Sequence, residues 1–407
     1  MEQYAQMRNS GVPWIQSIPE TWGIRVLFQL ADQVKNKNKD LLEKNLLSLS
    51  YGRIKRKDIN NPEGLLPESF DGYNIIEAND IVLRLTDLQN DHTSLRVGQS
   101  MERGIITSAY TTLRPSALIN PQYLYYVLHA YDLIKGFYGM GAGVRQGLNY
   151  DEVKTIKVPF PSLLEQTFIV AFLDDQVSQI DSIIAEALKS IEEYKQWKSS
   201  AIFEATTSGI VFDAEKRDSH VEWIGRIPKG WKIVSLKHLC SMQAGKNLTA
   251  EQILENGKYP VYGGNGIRGY YNEYNNEGSY ILIGRQGALC GNAHLVEGQF
   301  WATEHAVVTS CKPGVDLKYL YFMLVAMNLN QYASNAAAQP GLSVNVIQNI
   351  RTVFPPLSEQ VNIAKYLSEK CSQIDSLIEE KKSLVYDLET YKRSLIYEAV
   401  TGKRKVV

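Results

Sequence analysis

At 407 residues, 44% hydrophobic and 21% charged, the chain has the composition of a soluble globular protein with room for two or more cores, which excludes disordered and low-complexity classes. A formal net charge of -1 neither demands nor forbids nucleic acid, because an uneven distribution matters more than the sum. There is no run of about 18 apolar residues, and the N-terminal MEQYAQMRNSG lacks the basic and then apolar layout of a signal peptide, so a cytoplasmic protein without membrane contact is expected.

Residues 12 to 27 read VPWIQSIPETWGIRVL, and residues 221 to 236 read VEWIGRIPKGWKIVSL. Trp14, Ile18, Pro19 and Trp22 answer to Trp223, Ile227, Pro228 and Trp231, 209 residues on, so the chain contains an internal duplication. These tryptophans read as packing groups of a clip rather than as chemistry.

After the first clip come short β-rich runs, YNIIEANDIVLRLTDL and GIITSAYTTLRP, separated by turn residues, then a helix-like PQYLYYVLHAYDLIKGFY. Cations crowd the same region, with Lys35, Lys37, Lys39 and Lys44, then Arg53, Lys55, Arg56 and Lys57; their bland reading is a solvated loop. Sharper candidates for polynucleotide contact are Arg84, Thr86, Gln89, Asn90, Arg96, Arg103, Ser108, Tyr110, Arg145 and Gln146, where guanidinium, amide and hydroxyl groups on strand ends can meet base edges and phosphates.

A Pro-Phe-Pro segment at Pro159 to Pro161 introduces a helix over Glu165 to Gly209, with Leu173, Val177, Ile180, Ile184, Ala187, Ile191 and Tyr194 spaced alternately four and three apart. That is a coiled-coil seam. It returns 194 residues later as Leu367, Cys371, Ile374, Ile378, Lys381, Val385 and Leu388, after Pro355 and Pro356. The first copy is acid-rich, which suits protein contact better than phosphate.

Between the second clip and the second helix lies another module, about fifteen residues shorter by the fall in offset from 209 to 194. YPVYGGNGIRGYY, SYILIGRQGALCGNAHLV and WATEHAVVTS read as strands, followed by a helix at LKYLYFMLVAMNLNQYA. Its contact candidates are Lys246, Tyr262, Asn265, Arg268, Tyr270, Arg285, Gln286, Thr303 and His305. The modules converge again at their ends, where Gln146, Gly147, Leu148, Val153 and Ile156 correspond to Pro340, Gly341, Leu342, Ile347 and Ile350.

Catalytic machinery is missing. There is no cofactor loop after a first strand, no Asn-Pro-Pro-aromatic loop, no Walker loop, no nuclease-like acidic cluster with its lysine and no serine elbow. The glycine cluster at Gly263 to Gly269 sits among hairpin-like runs, and Glu304-His305 is a lone pair. Cys240, Cys290, Cys311 and Cys371 fit neither a disulfide framework nor paired zinc ligands, so isolated reduced thiols, no metal and no cofactor are expected.

The two clips, GLNYDEVKTIKVPFPSLLEQ at 147 to 166, GLSVNVIQNIRTVFPPLSEQ at 341 to 360, the Ile-Asp-Ser helices at 180 to 182 and 374 to 376, IGRQGALCG and TEHAVV together resemble the DNA-specificity subunit of type I restriction-modification systems. The resemblance covers nearly the whole chain. It departs at Pro340, which cannot mirror a contact by Gln146. It implies an α+β protein in which two target-recognition domains are joined by two long antiparallel coiled-coil helices, with an internal pseudo-two-fold duplication. The implied division is a clip at 1–22, target-recognition domains at 23–158 and 232–352, helices at 159–210 and 353–407, and a linker with the second clip at 211–231. It also implies a non-catalytic chain that reads a split, asymmetric double-stranded DNA site, one half per domain, and docks two modification (methyltransferase) subunits, with restriction subunits through them. A helix of about 41 residues, roughly 60 Å at about 1.5 Å per residue, would space the two domains. A structural coiled-coil adaptor and a self-contained DNA methyltransferase remain as alternatives.

Overall fold

The computed structural model describes residues 4–60, 69–140, 147–211, 213–287, 289–334 and 341–406. They form two compact units, Met1–Ala187 with Ser383–Val407, and Leu188–Lys382. Among the described residues there are six α-helices: α1 (Pro121–Leu133), α2 (Tyr150–Val153), α3 (Leu163–Ser208), α4 (Leu317–Ala326), α5 (Val344–Asn349) and α6 (Leu357–Val400).

The expected long helices are α3 and α6, of 46 and 44 residues. Ser162 opens α3, its hydroxyl accepting the Glu165 N–H at 3.3 Å, and Gly209 closes it at φ +79°, its N–H returning to the Ala205 carbonyl at 3.1 Å. Gly402 ends α6 in the same left-handed conformation, against Pro19 and Trp22. The seam residues lie inward, Leu173, Ile180, Ala187 and Ile191 buried on one helix and Leu367, Cys371, Ile374 and Ile378 on the other.

In the first unit the beginning of α3 meets the end of α6, because the Tyr123 hydroxyl donates to the carbonyls of both Pro159 (3.1 Å) and Val400 (3.2 Å). Further along, Asp181 of α3 meets Lys392 of α6 at 2.6 Å. In the second unit Ile191 packs with Ile374 and Ile378, while Ser208 shares a groove with Asn362 and Ile363. In each unit the two helices therefore run antiparallel.

Motif residues before the helices are anchors. Trp22 donates to Glu165 at 2.9 Å and Trp231 to Glu359 at 2.8 Å, while Trp14 and Trp223 donate to the carbonyls of Lys157 and Arg351, both at 3.2 Å. The amide of buried Gln166 accepts the Asn120 N–H and donates to the Pro161 carbonyl. Gln360 does the same with Asp316 and Pro355. Since Asn120 and Asp316 cap α1 and α4, each Glu-Gln dipeptide ties a clip and a module helix to the start of a long helix.

In the first unit, one four-stranded sheet runs Arg53–Lys57, Leu46–Ser50, Gly104–Ile106, Asn74–Ile76, and a second runs Ala31–Gln33, Thr111–Pro115, Ile81–Leu83, Val97–Gln99. The second unit has one six-stranded sheet, in the order Cys240–Ala244, Ala306–Cys311, Asn276–Gly284, Ala293–Ala302, Tyr259–Gly263, Gly266–Tyr271. Strand register reveals the shared plan. Thr111 lies opposite Leu83 as Val307 lies opposite Ile283, and Leu113 opposite Gln33 as Thr309 opposite Met242. The equivalent positions are 209 apart at Gln33, 200 at Leu83, 196 at Thr111 and 194 at Leu148, so the length difference accumulates in steps.

The four cysteines are free thiols. Two of them are not isolated, however: Cys240 and Cys311 are cross-strand neighbours, and burial pushes their thiols up to about 12 and about 11. Among the described residues no helix is long and apolar enough to cross a membrane, and no acidic, histidine or cysteine group could hold a metal.

Candidate nucleic-acid interface

In the first unit the strand Ile81–Leu83 runs out into Arg84, level with the start of its antiparallel neighbour Thr111–Pro115. The loop from Arg84 and the turn Thr107–Tyr110 thus share one end of the sheet. A third segment joins them, because the Leu148 N–H donates to the Leu85 carbonyl at 2.9 Å and Gly147 bridges Thr86.

The second unit builds the same junction. The Leu342 N–H donates to the Arg285 carbonyl at 2.9 Å, Gly341 bridges Gln286, and the Arg285 N–H donates to the His305 carbonyl at 2.9 Å. Two further segments arrive here. The Lys246 N–H donates to the Ala302 carbonyl and the Thr303 N–H to the Tyr262 carbonyl, both at 2.9 Å, and the Asn292 amide reaches Asn265 at 3.0 Å. Glycine is required where these backbones cross: a Cβ on Gly284 would lie 1.9 Å from the Gly264 carbonyl oxygen. The Gly263 to Gly269 cluster is accordingly a hairpin with its tip packed on the sheet.

Of the candidates in the first unit, Thr86, Gln89, Asn90 and Ser108 are exposed at this end. Arg84 is partly exposed, 3.8 Å from Asp91, whose carboxyl is held well below the usual range chiefly by the N–H of Ser94. Tyr110 is half-buried against Leu47, Ile76 and Val82. Two expectations give way. Arg103 lies at the other end of its strand, engaged by Glu43 (3.1 Å) and Glu77 (2.8 Å). Arg96 is wholly buried, and its guanidinium donates to backbone carbonyls of the loop instead of facing solvent. Arg145 and Gln146 lie outside the described residues.

In the second unit Lys246, Asn265, Arg268 and Gln286 are exposed, and Arg285 and His305 partly so. His305 lies 3.0 Å from Glu304. The side chain of Arg268 runs over Gly263. Tyr262 is half-buried with its ring edge on Phe300 at 5.5 Å, and Tyr270 is spent partly in the strand, its N–H on the Leu254 carbonyl. Thr303 is wholly buried and is corrected to a packing position.

Part of the lysine-rich run is occupied: Lys37 donates to the Gly72 carbonyl, Arg53 meets Asp181 at 3.3 Å, and Arg56 pairs with Glu102. Sequence reasoning missed the residues that hold the loops, namely Asp91, Asp132, Tyr138 and Asn292. Asp132, in the apolar run of α1, was the visible signal, because an acid is buried only with a partner; it accepts the Arg96 N–H at 2.7 Å.

A family model described as "Type I restriction modification DNA specificity domain" matches residues 19–193 and 228–385. The chain is similar to the type I restriction enzyme EcoprrI specificity subunit of Escherichia coli, 46% identical over 149 residues. That match spans 36% of this chain and only 37% of the relative. A putative MjaX specificity subunit of Methanocaldococcus jannaschii is 24% identical over 406 residues, covering 93% of this chain and 92% of the relative. Among solved structures, a chain from "Structural basis underlying complex assembly and conformational transition of the type I R-M system" superposes with TM-score 0.72 at 13% identity, covering 94% of this chain and 98% of that one. The HsdS subunit from Thermoanaerobacter tengcongensis gives 0.51 at 13% identity, covering 95% and 98%. At such identities these two carry the fold alone. The two family-model segments take in most of both units, and the chain belongs to the type I restriction-modification DNA-specificity family.

Proposed function

We propose that this chain is the non-catalytic specificity subunit of a type I restriction-modification complex in the cytoplasm, reading a bipartite, asymmetric sequence in double-stranded DNA. On this reading, 23–158 and 232–352 are the two target-recognition domains, each taking one half-site. The observation that carries it is the repeated junction. The same backbone connections join loop and third segment in both units, yet one presents Arg84, Thr86, Gln89, Asn90 and Ser108 and the other Lys246, Asn265, Arg285, Gln286 and His305. One framework bearing two sets of donors and acceptors suits two different half-sites. Amide and guanidinium groups are the side chains that pair with adenine and guanine edges in the major groove.

The remaining surface of α3 and α6, with the clips, is left to dock two modification subunits and, through them, restriction subunits. The test is binding by the chain assembled with its modification subunits to duplexes carrying single changes in either half-site. Arg285→Ala with Gln286→Ala is expected to relax one half-site by roughly tenfold or more and leave the other intact. Equal loss at both half-sites would contradict the assignment.

A further inference from the structure

Arg96 was expected among the DNA contacts, and its burial gives it a different task. A guanidinium carries five N–H donors in a rigid fork and no acceptor. Here Nη1 donates to the carbonyls of Arg84 (3.2 Å) and Thr86 (2.7 Å), Nη2 to those of Asp87 (3.2 Å) and Asp91 (2.5 Å), and Nε to the Tyr138 hydroxyl (2.8 Å). The Tyr138 hydroxyl donates in turn to the Asp91 carbonyl at 2.8 Å, and the ring lies 5.1 Å from the guanidinium carbon. Asp91 supplies the compensating charge at 4.0 Å, and Lys135 fastens the next turn through the His92 carbonyl at 2.6 Å. The loop is wound around one arginine.

Among the described residues of the second unit there is no such device. Strand register makes Ala293 the equivalent of Val97, so Asn292 stands where Arg96 does; the Gly284 N–H donates to the Asn292 carbonyl as the Arg84 N–H does to Arg96, both at 2.9 Å. Asn292 is exposed. The loop there is four residues shorter and closes on itself, Gly291 N–H to Gly284 carbonyl at 2.8 Å, with the Asn330 amide on the Cys290 carbonyl at 3.0 Å. The shorter loop is held by these bonds, whereas the longer loop has an internal hub.

We propose that Arg96 is a specificity-positioning residue for the half-site read by the first unit, acting through the carbonyls of residues 84 to 91 and touching no DNA itself. This rests on the reading of Arg84, Thr86, Gln89 and Asn90 as base-contacting groups. Base readout requires those side chains to be placed within about half an ångström, while phosphate contacts tolerate more and carry no sequence information. Loosening the hub therefore costs discrimination before affinity, and at one half-site only.

The test uses the full chain assembled with its modification subunits and equilibrium binding at fixed salt to the cognate duplex and to duplexes with one changed base in either half-site. Arg96→Lys keeps the charge but loses the fork. Tyr138→Phe is the gentler second variant, which carries the test if the lysine variant fails to fold. Both are expected to lower discrimination about tenfold at one half-site, the same one relaxed by Gln89→Ala, with the other unchanged within about twofold. Discrimination retained at both half-sites, or lost equally at both, would overturn the positioning role. A wild-type complex that discriminates at neither half-site would instead overturn the function on which the proposal rests, and the proposal with it.

Discussion

Lys392 of α6 places its ammonium 2.6 Å from Asp181 of α3, and Lys198 of α3 stands 2.6 Å from Asp375 of α6. The partners are equivalent by the 194-residue repeat, so the duplicated Ile-Asp-Ser has one meaning in both helices: isoleucine buried in the seam, aspartate at its rim paired to the opposite helix. The groups are a quarter to a half exposed, so solvent screening keeps the pairs modest. Lys392→Met is expected to cost about 1 kcal/mol in chemical denaturation, with a coupling to Asp181→Asn below about 1 kcal/mol. A coupling above about 3 kcal/mol would mean a buried pair instead.

Glu165 holds two donors, Trp22 and the Tyr4 hydroxyl (2.8 Å), whereas the Glu359 carboxylate holds one among the described residues, Trp231. Bonds to a charged acceptor contribute about 1.5–3 kcal/mol each. Glu165→Ala should therefore destabilise its unit more than Glu359→Ala does its own, by about 1.5–3 kcal/mol in urea unfolding. Equal costs would show that Tyr4 contributes nothing there.

His129 of α1 is buried, and burial first, then the charge of Lys392, pushes its pKa down to about 4, with Asp181 opposing. Between the ordinary value of 6.5 and about 4 the unfolded chain takes up a proton that the folded one refuses. Its contribution is thus whole above pH 6.5 and is lost as pH falls towards 4, by up to about 3 kcal/mol. His129→Gln should flatten the stability curve across that window. Parallel curves for the two proteins would place the acid sensitivity elsewhere.

Many cations of the first unit are already committed, Arg53 to Asp181, Arg103 to Glu43 and Glu77, and Arg114 to Asp80. With a net charge of -1, little counterion release is available to the isolated chain. Its DNA binding is expected to be weaker than about 1 μM at physiological salt. Nanomolar, sequence-specific binding without partners would contradict this.

The long helices were legible because a seam with a repeating period is local information, and the clips because they occur twice. The same holds for the module strands and the helices α1 and α4. What escaped was set by chain pairings distant in sequence. Leu46 pairs in parallel with Ile105, and Val261 with Trp301, and nothing within either segment signals such partners. Arg96 and Thr303 escape sequence reading because a polar residue type at a strand end reads as a surface group, and only the fold shows which way it turns. Arg103 and Ser108 are close in sequence, yet a three-residue strand carries them to opposite ends of the sheet.

Sequence recognition by two different modules leaves its mark on the host's DNA. Methylome sequencing of a host carrying this chain with its modification partner, beside the same host with the chain deleted, tests it most directly. A split, asymmetric methylated motif is expected, one that disappears on deletion and loses one half when Arg285 and Gln286 are replaced by alanine. An unchanged methylome, in a host whose modification subunit copurifies with the chain and is active, would contradict it.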